Sequence, residues 1–479
     1  MKKSLAGRLL LVACTIAITG AGVGSSQADS RTSAEPGEGM ASTIGRDETS
    51  LGLRRVDTVE PLDQASLDRV LELRRWIGLN DDPIFVRNLY DDPSPGGVFV
   101  SEKTLVGGLR FAGSEADDVL AISQLEYAGY VIADFAESSL GGAVFSGAEV
   151  KQRVLRVYCK GCIQSDLRRE IVALGRIIGD GNRLELVDVS FSLLELRKSE
   201  HEIAEYLARS GAKYAGTGVD YAANAVLVVG PHALEAKVLE AFPGLSIVFE
   251  IEDSVPVDEV TKWDPLGYGV VEGGQGIMRE DVPYQWAACT SGFAVNSPAY
   301  GPFMLTAGHC SSLGGGCTTG QKWIQGGAIL GTMSACMFQG SFDVGMISTA
   351  GWRNNIGRIH DSDVDYFHAV TFPVTTQNLS GVTVCQHGVT TAVPAPACGT
   401  VLQLDFRPSG TGDDGLIWNS DFVRASYQSD GGDSGSGITW STLYGYGATG
   451  IHKSSVPSGA YFTKYSKIAT LWGLTLTPP

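Results

Sequence analysis

Apolar positions in the first half of the chain follow both helical and strand periods. Residues 65–77 and 115–128 repeat apolar side chains at helical spacing, which predicts two amphipathic helices. Residues 150–159 alternate apolar and polar side chains in the manner of a strand. Segments of both kinds continue from there. Helices are predicted over 165–178, 199–212 and 232–242, strands over 183–192 and 245–252, and a pair of strands over 216–230. This order predicts a mixed α+β region over residues 61–255.

Beyond about residue 256 the helical spacing largely stops. Short alternating runs, bounded by Gly, Ser, Thr and Pro, recur through residues 292–451. Such a pattern is typical of an all-β barrel or sandwich. One closing helix is predicted within residues 461–474.

The amino terminus has the three zones of a secretory signal peptide. Three cations in the first eight residues precede an apolar stretch at 9–23 and a small-residue cleavage site at 26–28. The stretch is short for a membrane span, and no second one follows. A lipoprotein cleavage box at residues 11–14 is the alternative. We therefore predict a signal peptide over 1–28 and a flexible lead-in over 29–60.

The density of charged residues changes close to the point where the apolar periodicity changes. Residues 1–270 hold 27 Lys and Arg and 40 Asp and Glu, so about 25% of them are charged; residues 271–479 hold the other 9 and 13, about 11%. The net charge of the whole chain is −17. Nucleic acid is excluded as the main partner, because phosphate binding needs a basic face.

The cysteines also separate into two groups. Cys159 and Cys162 form a Cys-x-x-Cys pair in the charged half, where no second pair completes a zinc site, so a small disulfide is the favoured interpretation. The charge-poor half holds an even set, which suits three disulfides outside the cell. Its members are Cys289, Cys310, Cys317, Cys336, Cys385 and Cys398.

Three short motifs in the charge-poor half carry candidate chemistry. Thr-Ala-Gly-His-Cys stands at 306–310, Phe-Asp-Val-Gly at 342–345 and Gly-Asp-Ser-Gly-Ser-Gly at 432–437. Together they resemble the trypsin-like serine endopeptidases, in particular the secreted bacterial branch of α-lytic protease and the streptogrisins. The resemblance covers roughly residues 270–479 as the protease and, more weakly, 61–255 as a pro-region. It implies a double β-barrel, chymotrypsin-like fold.

The chemistry of these residue types fits the resemblance. A serine hydroxyl needs a base to take its proton, and an imidazole needs a carboxylate to orient it, which assigns a triad to His309, Asp343 and Ser434. Ten Asp residues follow His309, and Asp343 is chosen for its apolar frame. The acidic positions within 361–365 lie in a polar run and are interpreted as solvent-facing, with weak calcium binding as the alternative. No metal or other cofactor is predicted.

The resemblance implies further roles. The backbone N–H groups of Gly432 and Ser434 would form the oxyanion hole. The implied disulfides are Cys289–Cys310 and Cys385–Cys398, which leaves Cys317 with Cys336.

Residues 449–455 match the strand that lines the specificity pocket of this family. A histidine at position 452 and a serine near 455 are what glutamate-specific members use, so we expect a preference for acidic side chains; medium apolar residues are the alternative. The family's pocket disulfide is missing, because residues 427–431 contain no Cys. The candidate pocket residues are Gln428, Ser429, His452, Lys453, Ser454 and Ser455.

Two other functions were weighed against a protease. An α/β-hydrolase esterase requires the order Ser, acid, His, whereas this chain has His, Asp, Ser. A catalytically silent homologue that acts as a secreted binding protein stays open, although the complete His, Asp and Ser set opposes it.

The predicted organisation is therefore a secreted zymogen. The pro-domain at 61–255 would assist folding and then inhibit, 256–269 would be a processing linker, and 270–479 the protease. The expected partners are polypeptide substrates and the chain's own pro-domain, with a monomeric, extracellular product.

Overall fold

The computed structural model describes most of the chain from residue 53 onward. The predicted signal peptide and most of the lead-in and processing linker lie outside the described residues. The described ranges are 53–55, 64–91, 98–101, 110–140, 143–161, 168, 171–172, 183–252, 257–258, 271–281, 288–311, 317–325, 328–351, 355–361, 366–374, 380–391, 396–442 and 445–479.

Five of the six described α-helices belong to the charge-rich half. The helices are α1 (Gln64–Ile77), α2 (Pro83–Asp91), α3 (Ala116–Leu140), α4 (Leu193–Ser210), α5 (His232–Ala241) and α6 (Tyr465–Trp472). Helix α4 begins six residues before the predicted start, because Ser192 and Glu195 form a capping box ahead of the apolar repeat. It ends at Gly211, whose φ of 65° is the left-handed conformation of a helix C-cap. The helix predicted over 165–178 lies almost wholly outside the described residues.

The charge-rich half and the linker contribute the first ten described strands. They are β1 (Leu53–Arg55), β2 (Val98–Ser101), β3 (Arg110–Ala112), β4 (Phe145–Lys151), β5 (Val154–Cys159), β6 (Leu184–Asp188), β7 (Gly216–Asp220), β8 (Ala225–Gly230), β9 (Ile247–Ile251) and β10 (Val257–Asp258). The alternation seen over 150–159 is split between β4 and β5 by a turn at Gln152 and Arg153, both with positive φ. Strands β4, β5 and β6 form one sheet, with β5 and β6 parallel.

Apart from the helical turn at His309–Ser311 and helix α6, the regular elements that the structure describes in the charge-poor half are strands, as its short alternating runs predict. They are β11 (Val271–Gly273), β12 (Gly276–Arg279), β13 (Ala288–Thr290), β14 (Ala294–Ser297), β15 (Gly301–Thr306), β16 (Lys322–Gln325), β17 (Ala328–Gln339), β18 (Phe342–Ser348), β19 (Asn355–Asp361), β20 (Tyr366–Pro373), β21 (Thr383–His387), β22 (Ala397–Pro408), β23 (Phe422–Ala425), β24 (Gly437–Thr442), β25 (Gly445–Val456), β26 (Gly459–Lys464) and β27 (Thr475–Leu476).

These strands form two β units. In the second unit β21, β22, β23, β26, β25 and β24 pair in sequence, and β24 pairs back to β21, which closes a six-stranded barrel. In the first unit the order is β12, β16, β17, β18, β15 and β14. Helix α6 follows β26 in the predicted place, and Tyr465 and Ile468 of α6 pack into the core with Phe293, Val344 and Ile451.

The two halves of the chain share one continuous sheet. Strand β7 pairs antiparallel with β22, so Thr217 lies opposite Arg407, and β8 and β9 extend the sheet outward. The apolar side chains of Leu227 and Val229 pack there against Phe406 and Tyr461. The charge-rich half is therefore built onto the barrel through backbone hydrogen bonds as well as through side chains.

Candidate active site

His309 lies in a single helical turn just after β15. Its neighbour Cys310 is disulfide-bonded to Cys289 at β13, with the two Cα atoms 6.4 Å apart. The His309 ring is nearly inaccessible, with 5% of the residue exposed. The turn and the disulfide together hold the imidazole at the edge of the first β unit.

Asp343 is the second residue of β18 and is fully buried. One carboxylate oxygen accepts the backbone N–H of His309 (2.9 Å), and the other lies 2.8 Å from His309 Nδ1. Burial alone would raise the pKa of Asp343, but the neighbouring charges of His309 and Lys453 and the hydrogen bonds from His309 hold it well below its usual value. Asp343 is therefore ionised and oriented toward the imidazole.

Ser434 lies in the glycine-rich loop that precedes β24. Its Oγ is 2.9 Å from His309 Nε2, so Asp343, His309 and Ser434 form a continuous hydrogen-bonded series. The sequence-predicted triad residues are thus brought together, although 125 positions separate His309 from Ser434.

The loop around Ser434 is held by a buried carboxylate and by glycine. Asp433 accepts backbone N–H groups from Thr390 (2.8 Å), Thr391 (3.2 Å) and Asp430 (3.0 Å). Gly432 has φ of 101°, a conformation that side chains strongly disfavour. A Cβ on Gly435 would lie 2.1 Å from Thr306 Oγ1, so the backbone approaches β15 at a distance that only glycine permits.

The predicted pocket residues lie on two segments beside Ser434. His452 is fully buried on β25, and its Nδ1 is 2.9 Å from the hydroxyl of Tyr427. Ser455 Oγ donates to the carbonyl of Ser429 (3.4 Å), which ties the two segments together. Ser454 is buried and Gln428 half-buried.

Comparisons with known proteins find similar solved structures but no matching family. No family model and no curated protein matches the chain. Among solved structures it is similar to a Nocardiopsis protease (20% identity, TM-score 0.35), covering 43% of this chain and 98% of that one. It is also similar to a chymotrypsin of Cellulomonas bogoriensis (21% identity, 44% and 99% covered, TM-score 0.34) and to a serine protease described as glutamic acid specific (22% identity, 43% and 100% covered, TM-score 0.34). Scores at this level carry no argument about activity.

The position of the triad between the two β units decides the architecture. His309 and Asp343 come from the first unit, and Ser434 comes from the closed barrel of the second. The charge-poor half has a chymotrypsin-like fold. The fold predicted from the motifs is therefore confirmed.

The two disulfides implied by the resemblance and the third, left by exclusion, are all present in the chymotrypsin-like domain. They are Cys289–Cys310, Cys317–Cys336 and Cys385–Cys398. Cys159, at the end of β5, is also disulfide-bonded, whereas Cys162 lies outside the described residues.

The described residues were searched for metal-binding clusters and for membrane-spanning helices. In the parts of the chain that the structure describes, no three His, Cys, Asp or Glu side chains are grouped so that they could hold a metal ion. Within the same ranges, no helix combines the length and the apolar character needed to cross a membrane.

A strand from the predicted linker lies on β25, the strand that carries most of the predicted pocket residues. Val257 pairs with Ser455 and Asp258 with Ser454, antiparallel, at the end of β25 nearest Ser434. Ahead of this strand, the carboxylate of Glu252 accepts the backbone N–H of Ser458 (3.0 Å). The linker thus adds a strand where an extended peptide could pair.

For two side chains of the site, the sequence alone does not indicate what they contact. Tyr427 contacts His452, and in the sequence it is distinguished only as part of a stretch without Cys. Lys453 was assigned to the pocket, and the structure places its ammonium 3.4 Å from Asp343 Oδ2. In the sequence, Lys453 is distinguished as a cation in the charge-poor half that directly follows His452, a predicted pocket residue.

Proposed function

We propose that the chain is the precursor of a serine endopeptidase. The observation that carries the proposal is the hydrogen-bonded series from Asp343 through His309 to Ser434, with both bonds shorter than 3.0 Å. A nucleophile, a base within hydrogen-bond reach and a third group that orients the base are what acyl transfer requires.

The reaction would proceed through an acyl-enzyme. Ser434 Oγ attacks the peptide carbonyl carbon while its proton passes to His309 Nε2, and Asp343 stabilises the resulting imidazolium. The N–H groups of Gly432 and Ser434 would donate to the oxyanion. As the C–N bond breaks, His309 returns the proton to the leaving amine, and water then repeats the sequence to release the acid.

Labelling with a fluorophosphonate tests this function. We expect one adduct on Ser434 in the processed protein and none in Ser434→Ala, whereas Ser436→Ala, the same change two residues along the loop, should still be labelled. Intact-mass measurement provides the readout. A wild-type protein that takes no label and cleaves no peptide would indicate the silent homologue.

We further propose that the charge-rich half is a pro-region that inhibits the enzyme from which it is cut. Support comes from β10, which pairs with the pocket strand β25, and from β7, which extends the barrel sheet through β22. A partner docked in this way lowers the cost of forming a barrel rich in non-local strand pairs. Export by the predicted signal peptide and function outside the cell, where disulfides persist, complete the proposal.

The register of β10 suggests where the chain is cut. Val257 and Asp258 lie opposite Ser455 and Ser454, and Glu259 is the next residue in the sequence. Glu259 lies outside the described residues, so its assignment to the position before the scissile bond is our inference. A glutamate there agrees with the proposed acidic preference, because His452, held by Tyr427, and nearby serine hydroxyls can bind a carboxylate.

Mass spectrometry of the secreted product tests the cut site. We expect a new amino terminus at Val260 in the wild type and much slower maturation in Glu259→Gln. Asp264→Asn, which removes one carboxylate from the same linker, should mature normally. A peptide library in which neither Glu nor Asp is enriched before the cut would rule out the acidic preference while leaving the protease proposal intact.

A further inference from the structure

Lys453 is a buried cation in contact with the proposed catalytic carboxylate. Its Nζ lies 3.4 Å from Asp343 Oδ2, the same oxygen that lies 2.8 Å from His309 Nδ1. Only 4% of the residue is exposed. A lysine is rarely buried without a specific partner, because the charged ammonium loses its hydration.

The surroundings of Lys453 are built for a cation. Its ammonium lies 5.0 Å from the ring centroid of Phe338 and 5.0 Å from that of Trp418. Phe338 and Trp418 pack edge to face, and Phe338 also lies against the His309 ring. Two aromatic faces and one carboxylate therefore replace the water that the ammonium has lost.

The position of Lys453 also couples it to the nucleophile. The backbone carbonyl of Lys453 accepts a 3.4 Å hydrogen bond from Ser434 Oγ. Since Asp343 Oδ2 lies between Lys453 Nζ and His309 Nδ1, these two nitrogens are no more than about 6 Å apart. The lysine charge therefore acts on the imidazole from short range and in the same apolar interior.

Other charged groups around the site are engaged elsewhere. Lys464 on β26 lies 3.7 Å from Asp405, and Lys467 on α6 pairs with Asp421 at 2.5 Å. Asp413, in the loop before β23, accepts the backbone N–H of Cys317. His452 on β25 contacts the Tyr427 hydroxyl.

A neutral hydroxyl on β26 also contacts Asp343. The backbone N–H of Asp343 donates to the hydroxyl of Thr463 at 3.1 Å. Among the described residues, the side chains of His309 and Lys453 form ion pairs with Asp343.

We propose that Lys453 is a positioning residue that keeps His309 unprotonated, and the enzyme active, at a lower pH than the Asp–His–Ser series alone would allow. The inference rests on the proposed protease function. The ammonium offsets part of the carboxylate charge that would otherwise stabilise the imidazolium, and it repels the imidazolium directly. The low pKa of Asp343, to which the charge of Lys453 contributes, agrees with this arrangement.

The pH dependence of kcat/KM tests the proposal. In Lys453→Met we expect the acidic limb to move to higher pH by about 1 to 2 units, the size of a unit charge effect at about 6 Å in a protein interior. Lys453→Gln retains a hydrogen-bond donor without the charge and should shift equally, whereas Lys453→Arg should keep the limb near its wild-type position. Lys467→Met, which removes a lysine from an ion pair outside the site, should leave it unchanged.

A readout that does not need activity separates this inference from the proposed function. Side-chain nitrogen NMR of the intact precursor carrying Ser434→Ala gives the pKa of His309 directly, with and without Lys453→Gln. A higher His309 pKa in the lysine variant supports the proposal even if the protein cleaves nothing. Equal His309 pKa values, or an equal shift caused by Lys467→Met, would overturn it.

Discussion

The two halves of the chain use charge in opposite ways. About a quarter of residues 1–270 are charged, and several described ion pairs there are solvent-exposed, such as Arg75–Asp81 and Lys160–Glu195. The chymotrypsin-like half has only nine Lys and Arg, and four of the eight that the structure describes are buried. The buried four are Arg407, Arg424, Lys453 and Lys464.

The partners of these buried cations show what the scarce charges do. Arg407 pairs with Glu200, and Arg424 pairs with Glu250, so two of the four meet carboxylates of the charge-rich half. Lys464 lies 3.7 Å from Asp405, a carboxylate that also binds Arg197 of the charge-rich half.

Lys453 contacts Asp343 instead. The buried cations of the chymotrypsin-like half therefore lie where it meets the charge-rich half and beside the series of Asp343, His309 and Ser434. Burial decides how much each charge contributes to folding stability. An exposed ion pair stabilises the fold by at most about 1 kcal/mol, whereas a buried charge left unpaired destabilises it by several kcal/mol.

Among the ion pairs of the chain's two halves, we expect the loss of the buried pair between Glu200 and Arg407 to have the largest effect on stability. Both side chains are buried, and the guanidinium contacts both carboxylate oxygens, at 2.8 and 3.1 Å. We expect Glu200→Leu to lower the free energy of unfolding of the Ser434→Ala precursor by about 3–5 kcal/mol, because Arg407 keeps a buried, unpaired charge. Urea titration provides the measurement.

The double variant and an exposed pair serve as controls. Adding Arg407→Leu to Glu200→Leu should recover much of the loss, whereas Arg75→Ala, which breaks the exposed pair with Asp81, should cost at most about 1 kcal/mol. An equal cost for the exposed and the buried pair would contradict the view that burial sets the value of these charges.

Glu272 is a buried carboxylate whose hydrogen bond comes from a neutral amide, that of Gln275 (2.7 Å). Burial raises its pKa to about 7, opposed by the more distant charge of Arg358 and by Gln275. The folded protein therefore retains a proton that the unfolded chain loses near pH 4.5, so this residue makes stability fall as pH rises from about 4.5 to 7.

Glu272→Gln should remove that pH dependence. Relative to the parent, the variant is expected to be nearly unchanged at pH 4.5 and more stable at pH 8 by up to about 3 kcal/mol. Urea titrations of the Ser434→Ala precursor at both pH values measure the difference. Equal stability of the two proteins at pH 8 would show that the ionised Glu272 is not penalised.

Tyr427→Phe tests a neutral group, the Tyr427 hydroxyl, on which the selectivity of the proposed pocket would depend. Losing the 2.9 Å hydrogen bond to His452 should reduce the ratio of kcat/KM for Glu over Leu before the cut by about tenfold, the value of one hydrogen bond. Activity on the Leu substrate should change little. A proportional loss on both substrates would indicate general damage to the site.

Much of the fold was predictable because local pattern and tertiary structure agree. The hairpin of β7 and β8, helix α5 and strand β9 fall where the apolar periods place them, and α6 closes the chain as expected. The observed boundaries differ from the predicted ones where polar residues, and not the apolar spacing, determine where an element begins or ends. The Ser192–Glu195 capping box starts α4 early, and the Gln152–Arg153 turn divides one apparent strand into two.

The features that can be predicted from the sequence alone are those carried by short motifs and by composition. The residues His309, Asp343 and Ser434 each stand in a motif whose neighbours restrict the backbone, and the charge division between the two halves can be counted directly. Such motifs identify a residue and its expected role, but they do not identify the residues that it contacts in the folded protein.

Only the tertiary structure decided what faces these residues. His452 and Lys453 are adjacent on β25, but successive side chains on a strand point to opposite faces, so one contacts Tyr427 and the other Asp343. The partners of Arg407 and Arg424 lie 207 and 174 positions away in the chain. Contacts between segments so distant depend on strand register and barrel closure, which no local pattern contains.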